Sequence, residues 1–272
     1  MSTTPSLELF AYWRTSATFR VRVALNLKGL AATERFVDVD AGEHRSEAYL
    51  KINPLGAVPA LVEAGYPPLT QSLAILEFLD ELQPEPPLLP KDLHGRARVR
   101  SLAGMLASDT HPLITPRVRK YLSSVAGFDD AAVRAWMQHW FSTGLAAVEQ
   151  SIAMEPATGR FCHGDTPTIA DICLASIVAV TRLFKLRFDG LPTVDRIMAE
   201  CDALDAFARA APLRQQGAHR RPDPPRATVG RRGSPRLRLA YFSSVPSGLM
   251  GVVPVGPMPL TCTITSPSFA SS

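Results

Sequence analysis

The sequence has few cysteines and no long apolar run. Its four cysteines, Cys162, Cys173, Cys201 and Cys262, are far apart, with no C-x-x-C pair and no metal-ligand spacing relative to the six histidines. This usage argues against a disulfide framework and a metal site, and it indicates a reducing compartment. No stretch reaches the ~18 apolar residues that a membrane span requires, and the N-terminus lacks a basic start before an apolar core. We therefore expect a cytoplasmic protein with no metal and no membrane association.

An excess of positive charge is also missing from most of the chain. The net charge of +4 comes from residues 218–272, which contain seven arginines, no lysine and one acid. The other 22 basic residues are outnumbered by 24 acidic ones. A nucleic-acid partner therefore gets no support from the body of the protein. At 272 residues, of which 46% are apolar, the chain can form one large or two ordinary globular domains.

The first 90 residues alternate between strand-like and helix-like segments. Gly29 and Pro54 mark the ends of two of the helices, because glycine ends helices readily and the residue before a proline disfavours the helical conformation. A proline-rich linker, QPEPPLLP, follows the last helix. In order, the predicted elements are a strand (Leu7–Trp13), a helix (Thr18–Lys28), a strand (Thr33–Asp40), a short helix (His44–Asn53), two strands (Ala57–Ala64 and a shorter one before PPLTQS) and a helix (Gln71–Leu82).

Beyond the linker, residues 93–211 show only helical periodicity. At Thr168 the segment TIAD predicts a capping box, in which Thr168 and Asp171 exchange hydrogen bonds at a helix start. We expect an α/β domain over residues 5–84, an all-α domain over 91–216 and a disordered, arginine- and proline-rich tail over 217–272. The alternatives for the tail are a segment that binds an anionic surface and foreign sequence added by a change of reading frame. The predicted helices are Arg96–Ser108, Pro116–Ser124, Asp129–Met154, Thr168–Phe184 and Val194–Arg209.

Three hydroxyl residues, Thr15, Ser16 and Thr18, stand where the first strand gives way to the first helix. The first turn of a helix has unpaired amides and a positive dipole end, so it favours an anion. A thiolate fits such a place, and a hydroxyl that donates to its sulfur would lower the thiol pKa. A plain helix cap is the alternative role for the same residues.

The order of these elements resembles that of the glutathione transferases, and the resemblance covers about residues 6–216. The segment RTSATFRVRVALNLKG is similar to the S-S-C-S-W-R-V-R-I-A-L motif of the zeta class, which includes maleylacetoacetate and maleylpyruvate isomerases. The segments NPLGAVPALV, QSLAILEFLDE, LLP and GDTPTIAD match further family landmarks in the same order. The resemblance implies a thioredoxin-like N-terminal domain followed by an all-α domain, with glutathione as the cofactor.

The resemblance also implies a site for glutathione. Thr15 or Ser16 would hold the thiolate, although Ala17 replaces the cysteine of the zeta motif. Val58, before a cis peptide bond to Pro59, would pair its backbone with the cysteinyl part of the tripeptide, as an added strand does. The remaining contacts implied for the tripeptide are Gln71 and Ser72 at a helix start, which would hold the γ-glutamyl carboxylate, and His44.

An anionic keto-acid substrate requires cations, and arginine suits carboxylates. Arg14, His111, Arg117 and Arg182 are the candidates for this role. The family arginine falls on Leu183, however, and one residue corresponds to a 100° turn on a helix, so Arg182 can point elsewhere.

The activity implied by the resemblance is the cis–trans isomerisation of maleylacetoacetate or maleylpyruvate. In it the thiolate adds to the cis double bond, the new single bond rotates, and the thiolate leaves. Two alternatives are a glutathione transferase or dehalogenase that acts on small electrophiles such as α-halo acids, and a non-catalytic dimerising module with the same fold. The family expectation is a homodimer. We expect removal of the tail after Gly217 to leave activity intact.

Overall fold

The computed structural model describes residues 6–218. The question of whether the tail, residues 217–272, is disordered therefore lies outside the described residues, apart from its first two positions. The predicted domain of residues 5–84 contains a four-stranded mixed sheet and three helices, and the predicted domain of residues 91–216 contains helices only. This is the predicted arrangement, a thioredoxin-like half followed by an all-α half.

The sheet has the order β2-β1-β3-β4, with β1 parallel to β2 and antiparallel to β3. The strands are Leu7–Ala11 (β1), Ala32–Phe36 (β2), Ala60–Glu63 (β3) and Leu69–Thr70 (β4). The prediction that the second strand extends to Asp40 is wrong. The Asp38 carboxylate accepts hydrogen bonds from the amides of Asp40 and Ala41, and this Asx turn ends the extended run.

The described part of the sheet half contains three helices, and the first of them connects β1 to β2. Thr15 caps the first helix, and Gly29 ends it with a φ of 63°, which glycine adopts without strain. The predicted helix over His44–Asn53 is instead a 3₁₀ turn, Glu43–Arg45, followed by a single helical turn that Ser46 caps. The helices of this half are Ser16–Lys28 (α1), Glu47–Leu50 (α2) and Ser72–Leu82 (α3).

The all-α half contains six helices in its described part. The prediction of one helix over Val194–Arg209 is wrong, because Leu204 takes an extended conformation and starts a new helix that buries Phe207. The first helix of this half, Leu93–Gly104, continues as a π-helical segment, Met105–Thr110, and a 3₁₀ turn, His111–Ile114. The helices are Leu93–Gly104 (α4), Pro116–Ser124 (α5), Asp130–Ala153 (α6), Ile169–Leu183 (α7), Pro192–Asp202 (α8) and Asp205–Ala210 (α9).

Helix α1 joins the two halves, since it packs on α3 within the sheet half and on α7 and α9 of the all-α half. Every residue of α1 from Ser16 to Leu25 is buried, and one apolar core runs through both halves. Burial of this kind is the main stabilising contribution to a fold. The start of α1 is therefore held rigidly at the border between the halves.

The predicted capping box at the start of α7 is confirmed. The Asp171 carboxylate accepts from the backbone amide and the hydroxyl of Thr168, at 2.8 and 2.7 Å, and from the amide of Cys162 at 2.7 Å. Asp171 is fully buried, and burial raises the pKa of its carboxyl group. This side chain therefore ties the 160–168 loop to the central helix of the all-α half.

Candidate active site

A cavity of about 470 Å³ lies between the two halves of the fold. The sheet half contributes the start of α1, the loop from Asn53 to Pro59 and the start of α3. The all-α half contributes residues 107–117, which follow α4. Of the site residues predicted from the sequence, eight line this cavity: Thr15, His44, Val58, Pro59, Gln71, Ser72, His111 and Arg117.

Thr15 serves as the N-cap of α1 and also lines the cavity. Its Oγ1 accepts from the Thr18 amide at 3.4 Å and lies 2.6 Å from Thr18 Oγ1. When the buried Thr18 hydroxyl donates to Thr15, the Thr15 proton is free to point into the cavity. The capping role of Thr15 is therefore compatible with anion binding here, because the helix still has unpaired amides in its first turn.

The two neighbours of Thr15 are placed differently. Ser16 is buried, and its Oγ has no hydrogen-bond partner among residues 6–218. Arg14 forms a bidentate ion pair with Asp40, at 2.6 and 2.8 Å, and its guanidinium lies over the ring of Trp13. Neither residue lines the cavity. Of the two hydroxyls left open by the sequence, Thr15 is the one that faces the cavity, together with Ala17.

The loop before β3 presents a free stretch of backbone to the cavity. Asn53 Nδ2 and the Tyr49 hydroxyl both donate to the Ala57 carbonyl, at 2.6 and 2.7 Å, and so hold the loop in place. The Val58–Pro59 peptide bond is cis. The backbone N–H and C=O of Val58 make no hydrogen bond to any other described residue. They are available to an extended peptide, which could pair with them as an added strand.

The start of α3 is the third wall of the cavity. Gln71 precedes the helix with a φ of 69°, an unfavourable value for a residue with a side chain. No side chain caps this helix, whose first three residues, Ser72, Leu73 and Ala74, all line the cavity. An uncapped helix start with free amides is a binding place for a carboxylate.

Two histidines line the cavity in their neutral form. Burial, with Arg45 and Lys120 nearby, lowers the pKa of His44, whose Nδ1 is buried and has no partner within the described part of the chain. Burial, with Arg20 and Arg117 nearby, lowers the pKa of His111 well below 6.5. His111 is therefore a neutral hydrogen-bonding group at neutral pH and does not supply the cation that a keto acid requires.

The neutral state of His111 predicts a loss of stability in mild acid. Below about pH 6.5 the unfolded chain binds a proton at this residue, and the folded protein does not until the lowered pKa is reached. The free energy of unfolding should therefore decrease as the pH is lowered. For this group the decrease is at most about 1.4 kcal/mol per pH unit, and less where solvent reaches the ring. Urea unfolding from pH 7.5 to 5 checks this. His111→Gln should flatten the dependence, and a slope equal to that of the wild type in this variant would contradict the assignment.

Arg182 is not brought to this cavity. It forms a bidentate ion pair with Asp202, at 3.0 and 2.8 Å, on the rim of a separate apolar cavity of about 270 Å³. That second cavity lies among α1, α7, α8 and α9. Adjacent residues on a helix differ in direction by 100°, and Arg182 points away from the first cavity, as this geometry allows.

The cavity residues that sequence reasoning missed include Arg20, Arg45 and Asn53. A signal for Arg20 was available, since it stands between apolar residues, Phe19 and Val21, in the sequence. Arg45 lies in the 3₁₀ turn beside His44, where no local pattern marks it. With Arg117, the wall contains three arginines, and the described residues that line it include no Asp or Glu.

Other kinds of site are not found in the part of the chain that the structure describes. No group of three or more His, Cys, Asp or Glu residues is placed to hold a metal ion between residues 6 and 218. Within the same range no helix is both long and apolar enough to cross a membrane. Cys162, Cys173 and Cys201 are buried free thiols, and burial raises the pKa of each of them.

Comparison with known proteins gives a consistent result. The family profile "Glutathione S-transferase, N-terminal domain" matches residues 5–81. The chain is 44% identical to a maleylacetoacetate isomerase of Rhizobium meliloti (strain 1021), over 76% of this chain and 96% of that protein. It is 42% identical to a maleylpyruvate isomerase of a Ralstonia species, over 77% of this chain and 98% of that protein.

A crystal structure of a third relative has the same fold. It is a maleylacetoacetate isomerase from Methylobacterium extorquens AM1 with bound malonate and glutathione. Its TM-score to this chain is 0.76 at 49% identity, covering 78% of this chain and 99% of that one. The chain thus belongs to the zeta-class glutathione transferase family that contains the maleylacetoacetate and maleylpyruvate isomerases.

Proposed function

We propose that this protein is a glutathione-dependent isomerase that converts a maleyl keto acid, maleylacetoacetate or maleylpyruvate, to its fumaryl form. The relatives named above carry these activities in their names, and the chain covers nearly their whole length. The observation that carries the proposal is the cavity wall, which combines a hydroxyl at a helix start, a free backbone edge and three arginines without a carboxylate.

The residues of the sheet half fit a glutathione molecule. The free N–H and C=O of Val58 would pair with its cysteinyl part, and the uncapped start of α3, with Ser72, would take its γ-glutamyl carboxylate. His44 and Gln71 border the same side. When bound, glutathione supplies a sulfur nucleophile that adds reversibly to the cis double bond of the substrate and so permits rotation about it.

Thr15 would hold that sulfur in its ionised form. Its oxygen accepts a hydrogen bond from the Thr18 amide, and when the Thr18 hydroxyl is the donor to it as well, Thr15 can donate its own proton to an anion in front of α1. The helix start adds a positive end that also favours the anion. Ser16 and Arg14 would act indirectly. Ser16 would pack as a buried residue of the first turn of α1, and Arg14 would fix the loop that contains Asp40.

The residues of the all-α half would bind the keto acid. Arg117 lines the cavity and is the arginine that the described part of this half contributes to it. A cation there attracts the substrate carboxylate and stabilises negative charge that develops beside the double bond during addition. His111 would add a neutral hydrogen bond.

An absorbance assay tests the function. Purified protein should isomerise maleylpyruvate or maleylacetoacetate only when glutathione is present, with glutathione recovered unchanged. Stoichiometric consumption of glutathione, or halide release from an α-halo acid without isomerisation, would favour a conjugating or dehalogenating transferase instead. Retention on a glutathione column without turnover of any of these compounds would favour the non-catalytic module.

Arg117 and Arg182 form a matched pair for a test of substrate binding. Arg117→Met should raise the KM for the keto acid about 10- to 100-fold, because a charge-assisted hydrogen bond is lost. Arg182→Met should leave KM within about 2-fold, since Arg182 pairs with Asp202 outside the cavity. The affinity for glutathione should stay the same in both variants. Steady-state kinetics decides, and a larger KM effect in Arg182→Met would refute this placement.

A homodimer and a cytoplasmic location complete the proposal. The dimer follows from the family resemblance, and the location from the three buried free cysteines, which suit a reducing compartment. Light scattering on the purified full chain measures the oligomeric state, and a monomer at micromolar concentration would refute the first of these two statements.

A further inference from the structure

Helix α1 contains three buried cationic side chains, Arg20, Arg22 and Lys28. Two of them are neutralised by carboxylates: Arg22 by Glu34 and Lys28 by Asp80, each at 2.5 Å. Arg20 contacts no carboxylate among the described residues. Its Nε donates to Ser72 Oγ at 3.0 Å and its Nη1 donates to Ser176 Oγ at 3.3 Å, and both partners are neutral.

An unpaired buried guanidinium is costly. Arg20 is 1% exposed, and burial lowers its pKa, but arginine stays protonated in proteins. A charge removed from water without a counter-ion destabilises the folded state unless another group compensates it. Arg20 also lines the cavity, where the described wall residues include no acid. An anion bound in the cavity would supply this compensation.

The hydrogen bond to Ser72 indicates which part of the ligand that anion is. Ser72 is the first residue of α3, at the helix start that no side chain caps. Because Arg20 donates to Ser72 Oγ, one lone pair of the hydroxyl is occupied and its proton is left to donate elsewhere. A hydroxyl polarised by a cation is a stronger donor to a carboxylate.

We infer that Arg20 is a positioning residue for the γ-glutamyl α-carboxylate of glutathione, which it serves by orienting the Ser72 hydroxyl and by supplying the buried positive charge behind the start of α3. This inference rests on the proposed function for the identity of the ligand. Helix α1, whose N-cap Thr15 faces the place of the sulfur, would thus also contribute Arg20 to the carboxylate site. It also explains why Arg20, alone among the three buried cations of α1, has no acidic partner between residues 6 and 218.

The test compares two ligands. Calorimetric titration uses glutathione and γ-aminobutyryl-cysteinylglycine, which is the same tripeptide without the α-carboxylate. Arg20→Met should weaken glutathione binding about 10- to 100-fold and should leave the weak binding of the analogue almost unchanged. Arg20→Lys, which keeps the charge, should recover part of the affinity for glutathione. Equal losses for both ligands, or no loss for glutathione, would overturn the inference.

Two further variants separate the charge from a merely structural role. Arg22→Met removes a buried cation from the same helix and leaves Glu34 unpaired, so it should lower the melting temperature of the free protein and leave the glutathione affinity unchanged. Arg20→Met should leave that melting temperature unchanged or raise it, because it removes an uncompensated buried charge and leaves no unpaired acid. Ser176→Ala should change the affinity less than 3-fold. A Ser176→Ala loss as large as that of Arg20→Met would mean that the link to α7 matters and not the charge, and would refute the inference.

If wild-type protein binds neither ligand, the proposed function fails together with the inference. If it binds glutathione and isomerises the keto acid while Arg20→Met binds glutathione equally well, only the inference fails. The two failures are therefore distinguishable in one set of titrations.

Discussion

Thr15→Ala should lower kcat/KM for the keto acid about 100-fold, the usual effect of removing one hydrogen-bond donor to a reacting anion. The apparent pKa of the bound thiol should rise towards the value of about 8.5 for an unperturbed thiol. Both effects have the same origin, since the Thr15 hydroxyl is the one at the start of α1 that faces the cavity. Thiolate absorbance of the binary complex as a function of pH measures the second effect, and steady-state kinetics the first.

The double role of Thr15 requires controls. Thr15→Ser keeps both the cap and the donor and should stay within about 3-fold of wild type. Asp129→Ala removes a cap of the same kind from α6, far from the cavity, and should cost about 1 kcal/mol of stability with no loss of activity. If Thr15→Ala retained the wild-type thiol pKa and turnover, the assignment of the hydroxyl would be wrong.

Asp171→Ala should have the largest effect on stability. The substitution leaves three buried donors, the Thr168 amide, the Thr168 hydroxyl and the Cys162 amide, without their acceptor. An unsatisfied buried donor costs roughly 1–3 kcal/mol, and partial relaxation reduces the sum, so we expect a loss of about 3–4 kcal/mol. Urea unfolding at one protein concentration measures it, since oligomerisation makes apparent stability depend on concentration.

Asp92→Ala is the matched control for Asp171→Ala. Asp92 caps α4 through the Gly95 amide at 2.7 Å, but it is exposed, so water replaces the lost acceptor. Its loss of stability should be clearly smaller than that of Asp171→Ala, as for an exposed helix cap. Similar losses in the two variants would mean that burial of the capping box adds nothing.

Those parts of the fold that depend on local chemistry were predictable from the sequence. Helix α5 has the predicted bounds, Pro116–Ser124, because proline suits the first position of a helix and Thr115 precedes it. The capping box of Thr168 and Asp171 was predictable for the same reason. The break at Leu204 has no such signal, since neither glycine nor proline lies there and the break follows from the burial of Phe207.

The sequence predicted which segments form the site, but it did not predict which side chains of those segments face the cavity. Adjacent residues on a helix differ by 100°, so the sequence could not decide between Thr15 and Ser16, nor place Arg182. Arg20 illustrates the other limit. Its partners, Ser72 and Ser176, are 52 and 156 positions away in the sequence, and a buried cation is recognised as unpaired only when its surroundings are known.

The cavity divides its tasks along the chain. The surfaces suited to the tripeptide come from segments up to Ala74, whereas the surfaces suited to the keto acid come from residues 107–117, a stretch of eleven positions in the all-α half. Substitutions confined to that stretch can change which acid is accepted and leave the cofactor half as it is. If Arg117 and His111 bind the acid as proposed, a change of substrate would require substitutions only in this connection between α4 and α5 and its first helical residues, with no change of fold.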